Sequence, residues 1–169
     1  EAFFHGKSSG IDPLTCFLSK PLHFKEDKIY FLDSGTERHI KDRFYLYNSG
    51  IKSDTGNLVA IFRSKLRAGE FKELYDKEYF RLVNKAIEKL IDNDNDALTD
   101  CMNLISQFQL ENFTEMIPSE IITLFQSGLD SGKYAMKLCG SGGGGYFIVY
   151  SNNPLVELNS CFDMALESV

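Results

Sequence analysis

Two acidic side chains near the start of the sequence have the types and spacing that phosphoryl-transfer chemistry requires. Glu1 and Asp12 are separated by ten residues, and a loop there could bring both carboxylates to one site. A hard carboxylate oxygen suits Mg²⁺, which usually takes only one or two protein ligands beside phosphate and water. The second carboxylate could orient an acceptor hydroxyl or accept its proton.

The same two residues also have an ordinary structural interpretation. Asp12 followed by Pro13 is a typical helix start, because aspartate can cap free N–H groups and proline suits the first helical position. Glu1 would then be a surface residue. On spacing alone both interpretations stay open.

A run of glycines covers Gly140 to Gly145 and is interrupted only by Ser141. It lies far along the sequence from the two carboxylates. Glycine allows a backbone to approach a ligand or another backbone without side-chain hindrance. The run differs from the GxxxxGK[ST] phosphate loop and joins two predicted strands, so a glycine-rich turn is the ordinary explanation for it taken alone.

The first segment resembles the GHMP superfamily of small-molecule kinases, and within it the mevalonate kinase family. The residues that match in order and spacing are Glu1, His5, Gly6, Ser9, Gly10, Ile11 and Asp12. The resemblance implies that Asp12 is the catalytic aspartate and Glu1 the Mg²⁺ ligand. It also implies that His5, Ser9 and Gly10 border the pocket of the acceptor substrate.

A second segment, residues 48–55, resembles the family where a strand passes into a helix. The family threonine beside the acceptor maps on Thr55, which the resemblance makes a catalytic residue. The common arginine two positions earlier is replaced by Ser53. Lys52 could neutralise the acceptor instead, although a lysine on a loop is usually solvated.

The glycine run resembles the third motif of the superfamily, often Gly-Ala-Gly-Gly-Gly, which lines the active site. The implied ATP-binding residues are Gly140, Ser141, Gly142, Gly143 and Gly144. The family's phosphate loop, Pro-x-x-x-Gly-Leu-Gly-Ser-Ser-Ala, does not occur in the sequence. We therefore expect a piece of a longer enzyme, inactive alone, whose partner is the missing N-terminal half.

Periodicity predicts helices and strands at the following positions. The predicted strands cover residues 20–24, 28–32, 43–49, 134–139 and 146–150. The predicted helices cover residues 13–18, 54–68, 70–93, 96–111, 119–131 and 154–166. This order indicates an α+β chain in which helices cover small sheets.

The change from strand-rich to helix-rich sequence near residue 53 predicts a domain boundary. With the resemblance, the expected fold is GHMP-kinase-like, with two domains. Residues 1–53 would complete the N-terminal, catalytic domain, and residues 54–169 would form the helix-rich C-terminal domain with a small antiparallel sheet.

Composition narrows the function classes. A net charge of −6 over 169 residues argues against a nucleic-acid partner, which needs a basic face. No apolar run approaches the roughly 18 residues of a membrane span. The four cysteines lie far apart without a CxxC motif, which favours free thiols in the cytoplasm, although a disulfide stays open.

The resemblance implies an enzyme that uses ATP and Mg²⁺ to phosphorylate the hydroxyl of a small molecule, with mevalonate the first expectation. Another GHMP member, such as a phosphomevalonate kinase, a sugar kinase or a diphosphomevalonate decarboxylase, is the alternative within the class. A non-catalytic binding module with the same fold is the alternative outside it. Apolar surface exposed at the missing half would favour a homodimer.

Overall fold

A computed structural model describes residues 10–26, 28–52, 55–153, 162 and 166–168, and the side chains of all of them except Asp12, Thr55 and Ser168. The chain divides into two compact units, residues 1–39 and 40–169. The predicted boundary after residue 53 lies further along the chain than this division. The assignment of the two parts to the domains of a GHMP kinase stays a prediction.

The first unit contains a short helix and a hairpin. Helix α1 (Ile11–Leu18) precedes two antiparallel strands, β1 (Leu22–Lys25) and β2 (Lys28–Phe31), in which Leu22 faces Phe31. Both predicted strands are thus confirmed to within two residues at their ends. The apolar residues of β2 are exposed in the structure.

The start of α1 differs from the helix start expected at Asp12. Gly10 occupies the N-cap position in the left-handed conformation, with φ of 77°, and no side chain caps the helix. Glycine adopts this conformation without steric cost, so the helix begins at Ile11, before the Asp-Pro pair. Asp12 therefore lies inside the first turn, and its predicted role as the cap is wrong.

Helix α2 (Ser34–Arg43) was not expected from the sequence and runs across the division between the units. It has almost no apolar residues, so it lacks the apolar stripe by which helices are recognised. Its start is marked instead by Asp33, whose Oδ1 accepts a hydrogen bond of 2.7 Å from the backbone N–H of Thr36. This bond holds the pKa of the Asp33 carboxyl below its ordinary value.

A four-stranded antiparallel sheet organises the second unit. Its strands are β3 (Phe44–Asn48), β4 (Ala135–Leu138), β5 (Tyr146–Tyr150) and β6 (Glu167–Ser168). They lie in the order β4–β5–β3–β6 across the sheet. The central pair sets Phe44 opposite Tyr150 and Asn48 opposite Tyr146. The strands predicted over residues 43–49, 134–139 and 146–150 are confirmed.

Helices make up most of the second unit. They are α3 (Thr55–Arg67), α4 (Gly69–Leu74), α5 (Phe80–Ile91), α6 (Asn95–Asn112) and α7 (Ser119–Ser131). The helix predicted over residues 70–93 is confirmed in extent, but Tyr75–Tyr79 between α4 and α5 forms a π-helical turn. A 3-10 turn, Thr114–Met116, joins α6 to α7.

The core of the second unit lies between α6 and the sheet. Leu98, Ile105 and Met136 are buried there almost completely. Burial of such side chains contributes roughly 1.5–3 kcal/mol each. Cys16, Cys101 and Cys139 carry free thiols, in agreement with the expectation from their spacing.

The helix predicted over residues 154–166 falls outside the described residues except at its end. Phe162 and Leu166 are buried. The ring of Phe162 packs 5.2 Å from that of Tyr47 and 4.8 Å from that of Tyr134, between centroids. These contacts place the Phe162 ring against aromatic side chains of β3 and of the residue that precedes β4.

Candidate functional site

The glycine run forms the loop between β4 and β5, and its backbone needs glycine. All five of its glycines have φ between 67° and 142°, which side-chain-bearing residues rarely adopt. Only Ser141 interrupts them. The loop could not take this shape with the alternating side chains of an ordinary hairpin.

Two glycines of the loop are packed against protein backbone. A Cβ atom at Gly142 would stand 2.4 Å from the carbonyl oxygen of Met116, and one at Gly144 would stand 2.4 Å from that of Ile51. No carbon atom fits at such distances. A Cβ at Gly140, by contrast, would meet nothing within 4 Å.

Hydrogen bonds fix the loop on both sides. The N–H of Gly143 donates to the carbonyl of Met116 at 2.7 Å, and the N–H of Gly145 donates to that of Ile51 at 2.8 Å. In return, the backbone N–H and the hydroxyl of Ser49 both donate to the carbonyl of Gly145, at 2.9 and 2.8 Å. The loop is thereby joined to residues 49–51.

This joining brings two predicted site segments together. Residues 49–51 lead directly to Lys52, whose side chain is exposed, and Thr55 is the first residue of α3. The glycine loop and the segment that carries Lys52 and Thr55 are therefore neighbours within the second unit. Exposure of Lys52 agrees with the solvated lysine considered as its ordinary role.

The remaining predicted site residues cannot be placed in the same way. Glu1, His5 and Ser9 lie outside the described residues. Gly10 and the backbone of Asp12 belong to the first unit, in which α1 begins. Among the described residues, no group of three His, Cys, Asp or Glu side chains is arranged to hold a metal ion.

A cavity of about 310 Å³ opens beside the glycine loop, and no motif or spacing in the sequence indicates it. Its apolar walls come from α3, the π-helical turn, the end of α6 and β4. They include Val59, Phe62, Tyr75, Phe113, Met116 and Leu138. Nothing in the periodicity of the sequence distinguishes a cavity wall from a core residue.

Five of its lining residues carry polar side-chain groups: Tyr75, Tyr79, Gln109, Lys137 and Ser141. Gln109 donates from Nε2 to the Tyr79 hydroxyl at 2.6 Å, and its Oε1 accepts from the N–H of Leu138 at 2.8 Å. Burial raises the pKa of Tyr79 to about 12, although the bond from Gln109 acts against this. The phenol therefore stays protonated at neutral pH.

Lys137 is the one cationic residue that lines this cavity within the described part of the chain. Its Nζ donates to the carbonyl of Leu138 at 2.9 Å. Burial lowers the pKa of its ammonium, and nearby Cys139 acts in the opposite direction. No described carboxylate forms an ion pair with it.

Comparison with known proteins agrees with the resemblance read from the sequence. Residues 84–155, fewer than half of the chain, match the family model of the GHMP kinases C terminal. None of the curated proteins matches the sequence significantly. The helices of the described residues are all too short or too polar to cross a membrane.

Solved structures with a similar fold include a mevalonate kinase and a Listeria innocua protein. Mevalonate kinase of L. major, solved with R-mevalonate, superposes with a TM-score of 0.58 at 22% identity over 83% of this chain. The Lin0012 protein from Listeria innocua superposes with a TM-score of 0.58 at 21% identity over 84% of this chain. The chain spans only about 41% of the length of either structure.

The matched segment begins in α5, ends beyond β5, and includes the whole glycine loop. The expected fold required helices packed on a small antiparallel sheet, with a glycine loop between two neighbouring strands. Residues 84–155 therefore match the GHMP kinases C-terminal model, and the chain has the fold of the corresponding part of a mevalonate kinase structure.

Proposed function

We propose that this chain is part of an ATP-dependent small-molecule kinase of the GHMP type, which phosphorylates a hydroxyl group of mevalonate. The observation that carries the proposal is the match of residues 84–155, glycine loop included, to the GHMP kinase model. The likeness to a mevalonate kinase supports the fold, and the first thirteen residues supply the argument for the acceptor.

In this proposal Asp12 orients the acceptor hydroxyl and takes its proton, and Glu1 holds Mg²⁺. Thr55 and Lys52 lie on the acceptor side. His5, Ser9 and Gly10 shape the acceptor pocket. ATP with its Mg²⁺ supplies the phosphoryl group, while the protein positions the reactants and neutralises charge.

The glycine loop contributes to ATP binding in two different ways. A Cβ atom at Gly140 would meet nothing within 4 Å, which leaves space beside its backbone for a ligand. Gly142 and Gly144 are held against the carbonyls of Met116 and Ile51, so their part is to fix the loop. This division of roles supports a nucleotide contact at the β4 end of the loop.

The proposal extends to the setting of the enzyme. The chain would work in the cytoplasm together with the N-terminal half that carries the phosphate loop. We expect the 169 residues alone to show no turnover, since that cradle is needed to hold the phosphates. A homodimer remains part of the proposal, because β2 exposes apolar residues.

The test uses the full-length parent enzyme and a coupled assay of ADP release with mevalonate as acceptor. Asp12→Asn should lower kcat by roughly 10²–10⁴-fold, the usual contribution of a positioned acid–base group. Asp100→Asn is the matched control, because Asp100 is exposed on α6, and it should leave kcat unchanged.

A panel of acceptors completes the experiment. Mevalonate should be preferred over phosphomevalonate and free sugars, because a phosphorylated acceptor needs further cationic groups. An unchanged kcat in Asp12→Asn would refute the assigned mechanism. Binding of ATP without turnover of any acceptor would identify a non-catalytic module instead.

A further inference from the structure

The cavity beside the glycine loop has the composition of a ligand site. Its volume of about 310 Å³ is at the lower end of the roughly 300–1,000 Å³ typical of small-molecule pockets. Most of its wall is aromatic or aliphatic. A few polar groups set in an apolar wall are the usual arrangement of a specific pocket.

Burial of the Lys137 ammonium in this wall is energetically unfavourable without an anion beside it. The only described hydrogen bond of its ammonium goes to the carbonyl of Leu138, a neutral acceptor. A partly buried ammonium in apolar surroundings loses hydration that one carbonyl does not replace. An anion entering the cavity would restore the missing charge partner.

Two of the other polar groups of the cavity are already hydrogen-bonded. The Tyr79 hydroxyl and the Gln109 amide bond to each other, and Gln109 also accepts from the backbone of β4. They fix the floor of the cavity and do not compete for an anion. The charge in the cavity is therefore concentrated on Lys137.

The π-helical turn gives the cavity two aromatic walls. Tyr75 and Tyr79 stand at its two ends, with ring centroids 5.4 Å apart, and both line the cavity. In a regular α-helix residues four apart share a face. The wider turn changes how these rings are offset, and such turns recur at functional sites.

From these observations we infer that the cavity binds a small monocarboxylate with an apolar body, whose carboxylate pairs with Lys137 and whose body lies against Phe62, Tyr75 and Phe113. A single cation matches a single negative charge. A phosphate or diphosphate would bring more charge than one lysine neutralises. A neutral ligand would leave the ammonium without its partner.

The inference goes beyond the proposed kinase reaction and shares only Gly140 and Ser141 with its predicted nucleotide loop. Neither the phosphate donor nor the acceptor takes part in the binding experiment. A negative result for the cavity therefore leaves the proposed reaction untouched, and loss of kinase activity would leave the cavity untouched.

The experiment is an NMR titration of the protein with 3-phenylpropanoate, compared with 3-phenylpropanamide, which has the same body without charge. The acid should bind at least tenfold more tightly than the amide. Backbone shifts should be largest at Gly140, Ser141 and Leu138. Acetate, which carries the charge without the body, should bind at least tenfold more weakly than 3-phenylpropanoate.

Variants locate the charge preference. Lys137→Met should abolish the preference for the acid while keeping binding of the amide, which reports that the cavity has kept its shape. Lys133→Met is the matched control, because Lys133 is exposed and does not line the cavity, and it should keep the preference. Equal affinity for acid and amide in the unsubstituted protein would overturn the inference. So would a preference that survives in Lys137→Met, or absence of shifts at the cavity.

Discussion

Substitution of Gly142 by alanine separates two reasons for glycine in the β4–β5 loop. Gly140 and Gly142 have similar φ values, 81° and 75°, so alanine at either position meets the same backbone strain of about 1–2 kcal/mol. They differ in surroundings. The new methyl group has open space at Gly140 but would stand 2.4 Å from the Met116 carbonyl oxygen at Gly142.

The extra cost at Gly142 follows from what must move. To admit the methyl group, the loop must withdraw from Met116, which breaks the 2.7 Å bond from the N–H of Gly143. A buried group left without its partner costs about 1–3 kcal/mol. Because the backbone strain cancels between the two variants, Gly142→Ala should be less stable than Gly140→Ala by about 1–3 kcal/mol.

The measurement is equilibrium unfolding in urea with circular dichroism, supported by thermal melts. For a chain of this length each kcal/mol corresponds to about 2–4 °C in Tm. Gly140→Ala serves as the control for backbone strain. Equal loss of stability in both variants would refute the argument that Met116 fixes the loop.

Two further predictions concern hydrogen bonds of the second unit. Tyr79→Phe should lower the free energy of unfolding by about 1–3 kcal/mol, because it leaves the buried Gln109 amide without its acceptor, and an unchanged urea midpoint would contradict this. Glu115→Gln should cost roughly 0.2–1 kcal/mol at pH 7, since the bond from Lys65 lowers the pKa of the half-exposed Glu115. A carboxyl group whose pKa is lowered by folding stabilises the folded state at pH values above its ordinary pKa of 4.5. This stabilisation is lost as the pH falls through the lowered pKa of the folded state. Urea unfolding at pH 7 and pH 3 should therefore show the difference at the higher pH alone, and a constant difference would contradict the ion pair.

The elements with strong patterns could be predicted from the sequence. The helix over residues 119–131 matched at both ends because Ser119 follows a proline and Gly132 adopts the left-handed conformation that ends helices. The strand over residues 146–150 matched because a run of aromatic and β-branched residues favours extended backbone. The glycine loop could also be predicted from local sequence, because its consecutive glycines indicate a backbone that side-chain-bearing residues rarely adopt.

What could not be predicted depends on contacts between distant parts of the chain. Helix α2 has no apolar stripe, and its Asp33 cap is a weak signal by itself. The π-helical turn at Tyr75–Tyr79 leaves no mark on a periodicity of 3.6 residues. The setting of Lys137 arises only when β4 packs beside Gln109 and the π-helical turn, which no spacing in the sequence shows.

The hydrogen bonds between Ser49, Ile51 and Gly145 have a mechanical consequence. They leave no free joint between the loop assigned to the nucleotide and the stretch that leads to Lys52. A displacement of the glycine loop would therefore displace residues 49–51 as well. Any opening that separates the glycine loop from this stretch must therefore first break these hydrogen bonds.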